Sequence, residues 1–150
     1  MATVISVTGD MFDSRPGRTL KVGVTVMLER TRDELPAIQP LWPRFEGLVG
    51  VRGRRMYAMV DTEAGTYAAC TPVRDGDDPA RLGLDIAELP GGWYLRARIA
   101  GDPPGLYDRI GPAMQALTAL AAPADPDRPL VEYYRRHDEI ELLVPVPAQS

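Results

Sequence analysis

Glu132 and Tyr134 lie two residues apart in Leu130-Val131-Glu132-Tyr133-Tyr134, a β-branched and aromatic run in which a carboxylate needs a reason. Side chains alternate along an extended strand, so Val131 and Tyr133 take one face and Glu132 and Tyr134 the other. Two arrangements fit. Glu132 is either a solvated or salt-bridged edge residue, with Arg96 or Arg98 as partner, or a partly buried anion at the base of an aromatic pocket. The second has definite chemistry. In a low-dielectric cavity the charge attracts cationic or proton-donating ligands, and tyrosine and tryptophan faces add cation–π attraction. Burial also raises a carboxyl pKa, which suits the group to proton transfer.

Other residues either join this site or drop out. Alignment of the two halves of the chain puts Tyr57, Met59, Tyr94 and Tyr134 on the face that carries Glu132, as stacking aromatics with an adaptable thioether or as the outer cover of a sheet. Trp42 and Phe45 fall on the apolar stripe of a helix and read as core, with pocket walls as the alternative. Trp93 follows two glycines and either rims the pocket or covers a strand end. Serines occur only at positions 6, 14 and 150, so no serine nucleophile is available near the lone histidine, His137, which sits in a turn. The lone cysteine, Cys70, has no predicted histidine neighbour to activate it. Asp75, Asp77 and Asp78 lack the later glutamate of a calcium loop. Gly47, Gly50 and Gly53 do not follow the phosphate-binding spacing, and Arg52, Arg54 and Arg55 read as a solvated run.

These residues need elements to position them. Alternation marks Leu20 to Arg30 as a strand with Val22, Val24, Val26 and Leu28 on one face. Residues 1–19 read as an N-terminal extension, a short edge strand at Thr3 to Thr8 followed by a loop. Apolar spacings of three and four from Asp33 to Val49 predict a helix, which Pro40 and Pro43 are expected to kink or break. Arg55 to Asp61 and Thr66 to Val73 form a predicted hairpin around Thr62 to Gly65. Ala80 to Glu88 is ambiguous. A strand from Trp93 to Ala100, a helix from Leu106 to Ala122 and a second hairpin, Leu130 to Arg135 with Glu139 to Val146, complete the chain. Strand, helix, hairpin thus occurs twice.

A shift of 73 lays Thr71-Pro72-Val73 over Val144-Pro145-Val146 and Met59 over Glu132, and a shift of 72 aligns the helices. The expected fold is α+β: two βαββ units, residues 20–74 and 90–147, related by a pseudo-twofold in one domain. An antiparallel sheet would carry both helices on one side and a central ligand cleft. On this alignment the cleft is charged at Glu132 and apolar opposite, at Met59.

Composition sets the outer bounds. A chain of 150 residues suffices for one well-buried core. Its net charge of −4 makes direct nucleic-acid binding unfavourable. No apolar run reaches the roughly 20 residues of a membrane span, and no secretory signal is visible, so a cytoplasmic location is expected. One cysteine and one histidine leave no metal site of the usual kind, and no cofactor is implied.

Several ordered motifs together resemble the GyrI-like small-molecule-binding domain, the effector-binding module of multidrug-sensing regulators. They are Leu89-Pro90-Gly91-Gly92-Trp93-Tyr94, Gly101, Pro104-Gly105-Leu106-Tyr107-Asp108, Glu132-x-Tyr134 and Ile140 to Val146. The resemblance spans roughly residues 20–147 and is strongest in the second half. It implies a duplicated βαββ fold whose acidic residue, here Glu132, meets cationic or aromatic ligands among tyrosines and tryptophans. Family members include stand-alone drug binders, gyrase inhibitors and hydrolases that open cyclopropane rings with a glutamate. The prolines of the first helix and Trp93 depart from the common pattern. Three functions follow as expectations: a binder of hydrophobic, often cationic, small molecules; a hydrolase in which Glu132, with Tyr134, activates water; and a protein-docking module. A homodimer is left open.

Overall fold

Both hairpins form where their turn residues place them, at Thr62 to Gly65 and at His137 and Asp138. The computed structural model of the chain describes residues 11–148, so the predicted strand at Thr3 to Thr8 lies outside the described residues. The elements run β1 (Gly17–Lys21), β2 (Val24–Arg32), α1 (Leu35–Val49), β3 (Met56–Asp61), β4 (Thr66–Pro72), β5 (Asp85–Leu89), β6 (Gly92–Ala100), α2 (Gly105–Asp108), α3 (Ile110–Leu120), β7 (Leu130–Arg136) and β8 (Glu139–Pro145). All eight strands join one antiparallel sheet in the order β1-β6-β8-β7-β3-β4-β2-β5.

That order reads the same from either end once β2-α1-β3-β4 is matched with β6-α3-β7-β8. Met27 pairs with Thr71 as Leu95 pairs with Val144, which relates β2 to β6 by 68 positions and β4 to β8 by 73. Tyr57 pairs with Cys70 as Val131 pairs with Leu143, which relates β3 to β7 by 74. Ala58, the counterpart of Glu132 at that offset, is also its direct partner across the β3–β7 junction. The pseudo-twofold axis therefore passes between Ala58 and Glu132.

The strand expected over Leu20 to Arg30 is two strands. Val22 and Gly23 separate β1 from β2: β1 pairs with β6 in the other half, while β5 reciprocally pairs with β2. The two connections cross at Gly23 and Gly91, and a Cβ on Gly91 would lie 2.6 Å from the Gly23 nitrogen and 2.9 Å from the Lys21 carbonyl oxygen. Only glycine allows backbones that close. The exchange draws the starts of β2 and β6 together and curls the sheet into a half barrel. Gly92 serves a second need, because a side chain there (φ 112°) would meet the Arg128 guanidinium at 2.7 Å.

α1 lays Leu41 and Phe45, both fully buried, on Met27, Ala58, Tyr67 and Ala69. α3 lays Ala113, Met114 and Leu117 on Ala97, Ile99, Ile140 and Leu142 of the same sheet face. The other face closes on itself through Val26, Leu28, Met59, Cys70, Tyr94, Val131 and Leu143. Each large apolar side chain buried this way contributes about 1.5–3 kcal/mol. Leu130 and Tyr134 touch both helix-side cores, which places β7 between the two helices.

The break expected in α1 does not occur: one helix of 15 residues contains both Pro40 and Pro43. Both prolines lie on its exposed side, as do Pro36 and Gln39, whose carbonyls lose their usual donors. Water can satisfy those carbonyls, and the buried Leu41 and Phe45 hold the opposite face down.

Candidate functional site

The middle of the sheet beside α3 is left open. A cavity of about 790 Å³ lies over the β3–β7 junction, walled by Ile110, Met114, Gln115 and Thr118 of α3, floored by Val60, Leu130 and Glu132, and rimmed by residues 61–63, 124–129 and Asp33. Its apolar wall comes from the helical stripe that also packs α3 down. The rim loops are polar because their backbones turn at the surface.

Glu132 is 7% exposed and has no Lys or Arg partner among the described residues. Its Oε1 accepts the Tyr134 hydroxyl at 2.5 Å, with the Tyr67 hydroxyl 3.5 Å away. The Tyr67 and Tyr134 oxygens are 3.0 Å apart, and Trp42 Nε1 donates to the Tyr67 oxygen at 2.8 Å. With Trp42 donating to Tyr67, the Tyr67 proton is directed to Tyr134 and the Tyr134 proton to Glu132. The relay thus ends on Oε1 and leaves Oε2 without a hydrogen-bond partner among the described residues. Trp42 meets the Tyr134 ring edge-on with centroids 5.0 Å apart, so the relay is also a packed aromatic cluster.

Burial pushes the Glu132 carboxyl up to about 7; the Tyr134 hydrogen bond pulls the other way and the Asp33 charge adds to the rise. Burial likewise raises the Tyr134 and Tyr67 hydroxyls, with the Glu132 charge reinforcing both, so they stay protonated donors. The rim is strongly acidic. Asp33, Asp61, Glu63, Asp125 and Asp127 face a single guanidinium, that of Arg128. Arg128 is already engaged by Asp125 at 2.8 Å and by the carbonyls of Gly91, Trp93 and Val146 at 3.0, 3.1 and 2.8 Å.

No protein-family model matches the chain, and no curated protein is detectably related to it. Solved structures do share its fold. An integron cassette protein from the mobile metagenome of Vibrio cholerae is 19% identical over 91% of this chain and 97% of that one, with a TM-score of 0.69. The structure of SAV2435 bound to tetraphenylphosphonium is 16% identical over 90% of this chain and 95% of that one, with a TM-score of 0.62. A hydrolase from Listeria innocua is 11% identical over 89% and 92%, with a TM-score of 0.51. At identities this low the likeness shows a common fold and nothing more.

The residues singled out in the sequence divide between the two sheet faces. Glu132, Tyr134 and Trp42 come together on the helix side. Phe45 is fully buried beneath α1, edge-on to Trp42, and belongs to the core. Tyr57 and Met59 do not share a face with Glu132, because β3 aligns with β7 at an offset of 74 rather than 73, and Tyr94 of β6 packs on the inner face with Met59. One residue of slip inverts every side chain of a strand. Tyr57 therefore stacks on Tyr133 across the opposite face, centroids 4.6 Å apart, and Met59 lies in the inner core. The residue opposite Glu132 is Ala58.

Tyr94 is 1% exposed on that inner face, donates to the Pro90 carbonyl at 2.5 Å and carries the Arg128 guanidinium over its ring at 5.0 Å. Trp93, on the helix-side parity of β6, is half-buried with the Arg18 guanidinium 5.7 Å from its ring. The Leu-Pro-Gly-Gly-Trp-Tyr motif is thus the crossing point of the fold. Tyr67 escaped the sequence reading, yet the hairpin register held the signal: closing the turn after Asp61 pairs Val60 with Tyr67, on the face of Ala58 and Glu132.

Proposed function

We propose that the chain binds hydrophobic small molecules that carry a positive charge, in the Glu132 cavity, as a GyrI-like effector- or drug-binding module does. One observation carries this reading: a carboxylate buried to 7% exposure on a cavity floor, with no cation of its own among the described residues and one oxygen that accepts no protein hydrogen bond among them. Burying a carboxylate without a counter-charge is costly, and an incoming cation removes that cost. Met114, Ile110, Val60 and Leu130 supply the apolar contact such a ligand requires. Support comes also from the shared fold of SAV2435, whose structure contains tetraphenylphosphonium, a bulky apolar cation.

Binding requires ionised Glu132. Below pH 7 the carboxyl carries a proton that a cation must displace; above it the site is ready. Tyr134 keeps donating to Oε1 in both states and fixes the direction in which Oε2 points. Calorimetric titration with tetraphenylphosphonium at pH 8, on the unmodified protein and on Glu132→Gln, tests the reading. The expected result is binding that weakens about thirtyfold in the variant, the contribution of a partly buried ion pair. Unchanged affinity would refute the carboxylate role.

A second reading, hydrolysis of a strained electrophilic ring, is favoured by the raised Glu132 carboxyl beside protonated Tyr134. Glu132 would take a proton from water as the water oxygen bonds to ring carbon, the ring bond's electron pair would leave toward an acceptor group of the substrate, and the Glu132 proton would pass to that group, which adds one water and restores the carboxylate. Incubation with a cyclopropane-bearing alkylator should then give a product heavier by one water, absent with Glu132→Gln. Recovery of unmodified compound would count against the hydrolytic reading.

A further inference from the structure

The acidic rim is not needed to bind a compact monocation, which one buried carboxylate neutralises. Asp61 uses Oδ1 to accept the backbone nitrogens of Glu63 and Ala64 at 3.1 and 3.0 Å, which fixes the β3–β4 turn at the cavity mouth. Its Oδ2 and the Glu63 carboxylate have no cationic partner among the described residues. Asp33, whose backbone nitrogen bonds the Gly65 carbonyl at 2.9 Å, adds a third charge at the same edge. Among the described residues the only lining cation is Arg128, already held by Asp125 and three carbonyls. No three His, Cys, Asp or Glu side chains among the described residues converge to hold a metal ion.

The register gives the spacing. Glu132 is level with Ala58, and Asp61 lies three residues further along β3, a Cα rise of about 10 Å; the odd step takes Asp61 off the Glu132 face, and it lines the cavity mouth from the start of the turn onto which its carboxylate folds. Resting on the cation-binding reading above, we propose that the preferred ligand is an elongated dication with charges about 10 Å apart, one held by Glu132 on the floor and the other by Asp61 and Glu63 at the mouth. Between them the ligand body lies along Val60 and Leu130, which are paired across the β3–β7 junction.

The test is a matched pair: an aromatic bis-amidine with its charged carbons about 10 Å apart, and the same scaffold with one amidine replaced by a neutral carboxamide. Both are titrated calorimetrically at pH 8 and low salt. On the unmodified protein the bis-amidine should bind at least about tenfold tighter, and the ratio should fall below about threefold in Asp61→Asn/Glu63→Gln. The Asp61→Asn change keeps an oxygen acceptor for the turn, and the ratio on the unmodified protein stands whether or not the variant folds. Equal affinities, or an advantage that persists in the rim variant, overturn the dication assignment. If the mono-amidine binds and is lost in Glu132→Gln while the bis-amidine gains nothing, only this inference fails. If neither compound binds the unmodified protein, the cation-binding reading fails with it.

Discussion

Glu132 and Glu141 are the two buried carboxylates among the described residues, one on each face of the sheet, and their surroundings are opposite. Glu141, 4% exposed on the inner face, lies 3.2 Å from Lys21 Nζ and 3.9 Å from Arg96 Nε, supplied by β1 and β6. Glu132, 7% exposed on the helix face, has only hydroxyl partners and an open cavity in front of it. A buried acid with its counter-charge built in holds the fold together; one without it holds a place for something else. The Lys21 contact is itself a product of strand exchange, because β1 reaches β6 only by crossing at Gly23 and Gly91.

Neutralising each glutamate in turn should separate them, and the largest effect is on stability at alkaline pH. The Glu132 carboxyl titrates near 4.5 unfolded and about 7 folded, so the folded state binds the extra proton between those values. Stability is therefore lost as pH rises from about 4.5 to 7 and stays lost above. Glu132→Gln should recover up to roughly 3 kcal/mol at pH 8 and little at pH 4, read from urea melts at both values. Equal midpoints at pH 8 would show that burial of the carboxylate does not destabilise the fold.

Cation affinity should follow next. Against the roughly thirtyfold loss in Glu132→Gln, Glu141→Gln should stay within about twofold, since that group faces away from the cavity. A matching loss in both variants would erase the distinction between the faces. The pH profile gives a smaller effect of the same origin. Tetraphenylphosphonium affinity should fall about tenfold from pH 8 to pH 6 as Glu132 takes up its proton, and the slope should vanish in Glu132→Gln. A flat profile in the unmodified protein would mean the carboxyl does not titrate near neutrality. Smallest is the cost of Glu141→Gln itself, about 1 kcal/mol of stability, because Lys21 and Arg96 are partly exposed and can turn to water.

Much of the scaffold was legible because its signals are local. Period-two runs and turn residues place the hairpins, period 3.6 places α1 and α3, and the repeated order of elements discloses the duplication. The errors arose where contacts between distant segments decide. Leu20 to Arg30 alternates without interruption, yet it divides at Gly23 because Gly91 passes against that backbone, a contact between residues 68 positions apart. Pro40 and Pro43 leave α1 whole because the face they disturb is the one that meets water.

The candidate site divides along the same line. By itself the sequence determined that Glu132 and Tyr134 share a face, since alternation within one strand needs no neighbour. Which residues of β3 and β4 join them was decided by tertiary structure, through a register in which a single step exchanges Met59 for Ala58 and brings Tyr67 to the carboxylate. Whether an arginine or lysine reaches a buried glutamate depends on which strands the fold brings alongside it. Here the fold gives Glu141 such partners and leaves Glu132 facing a cavity.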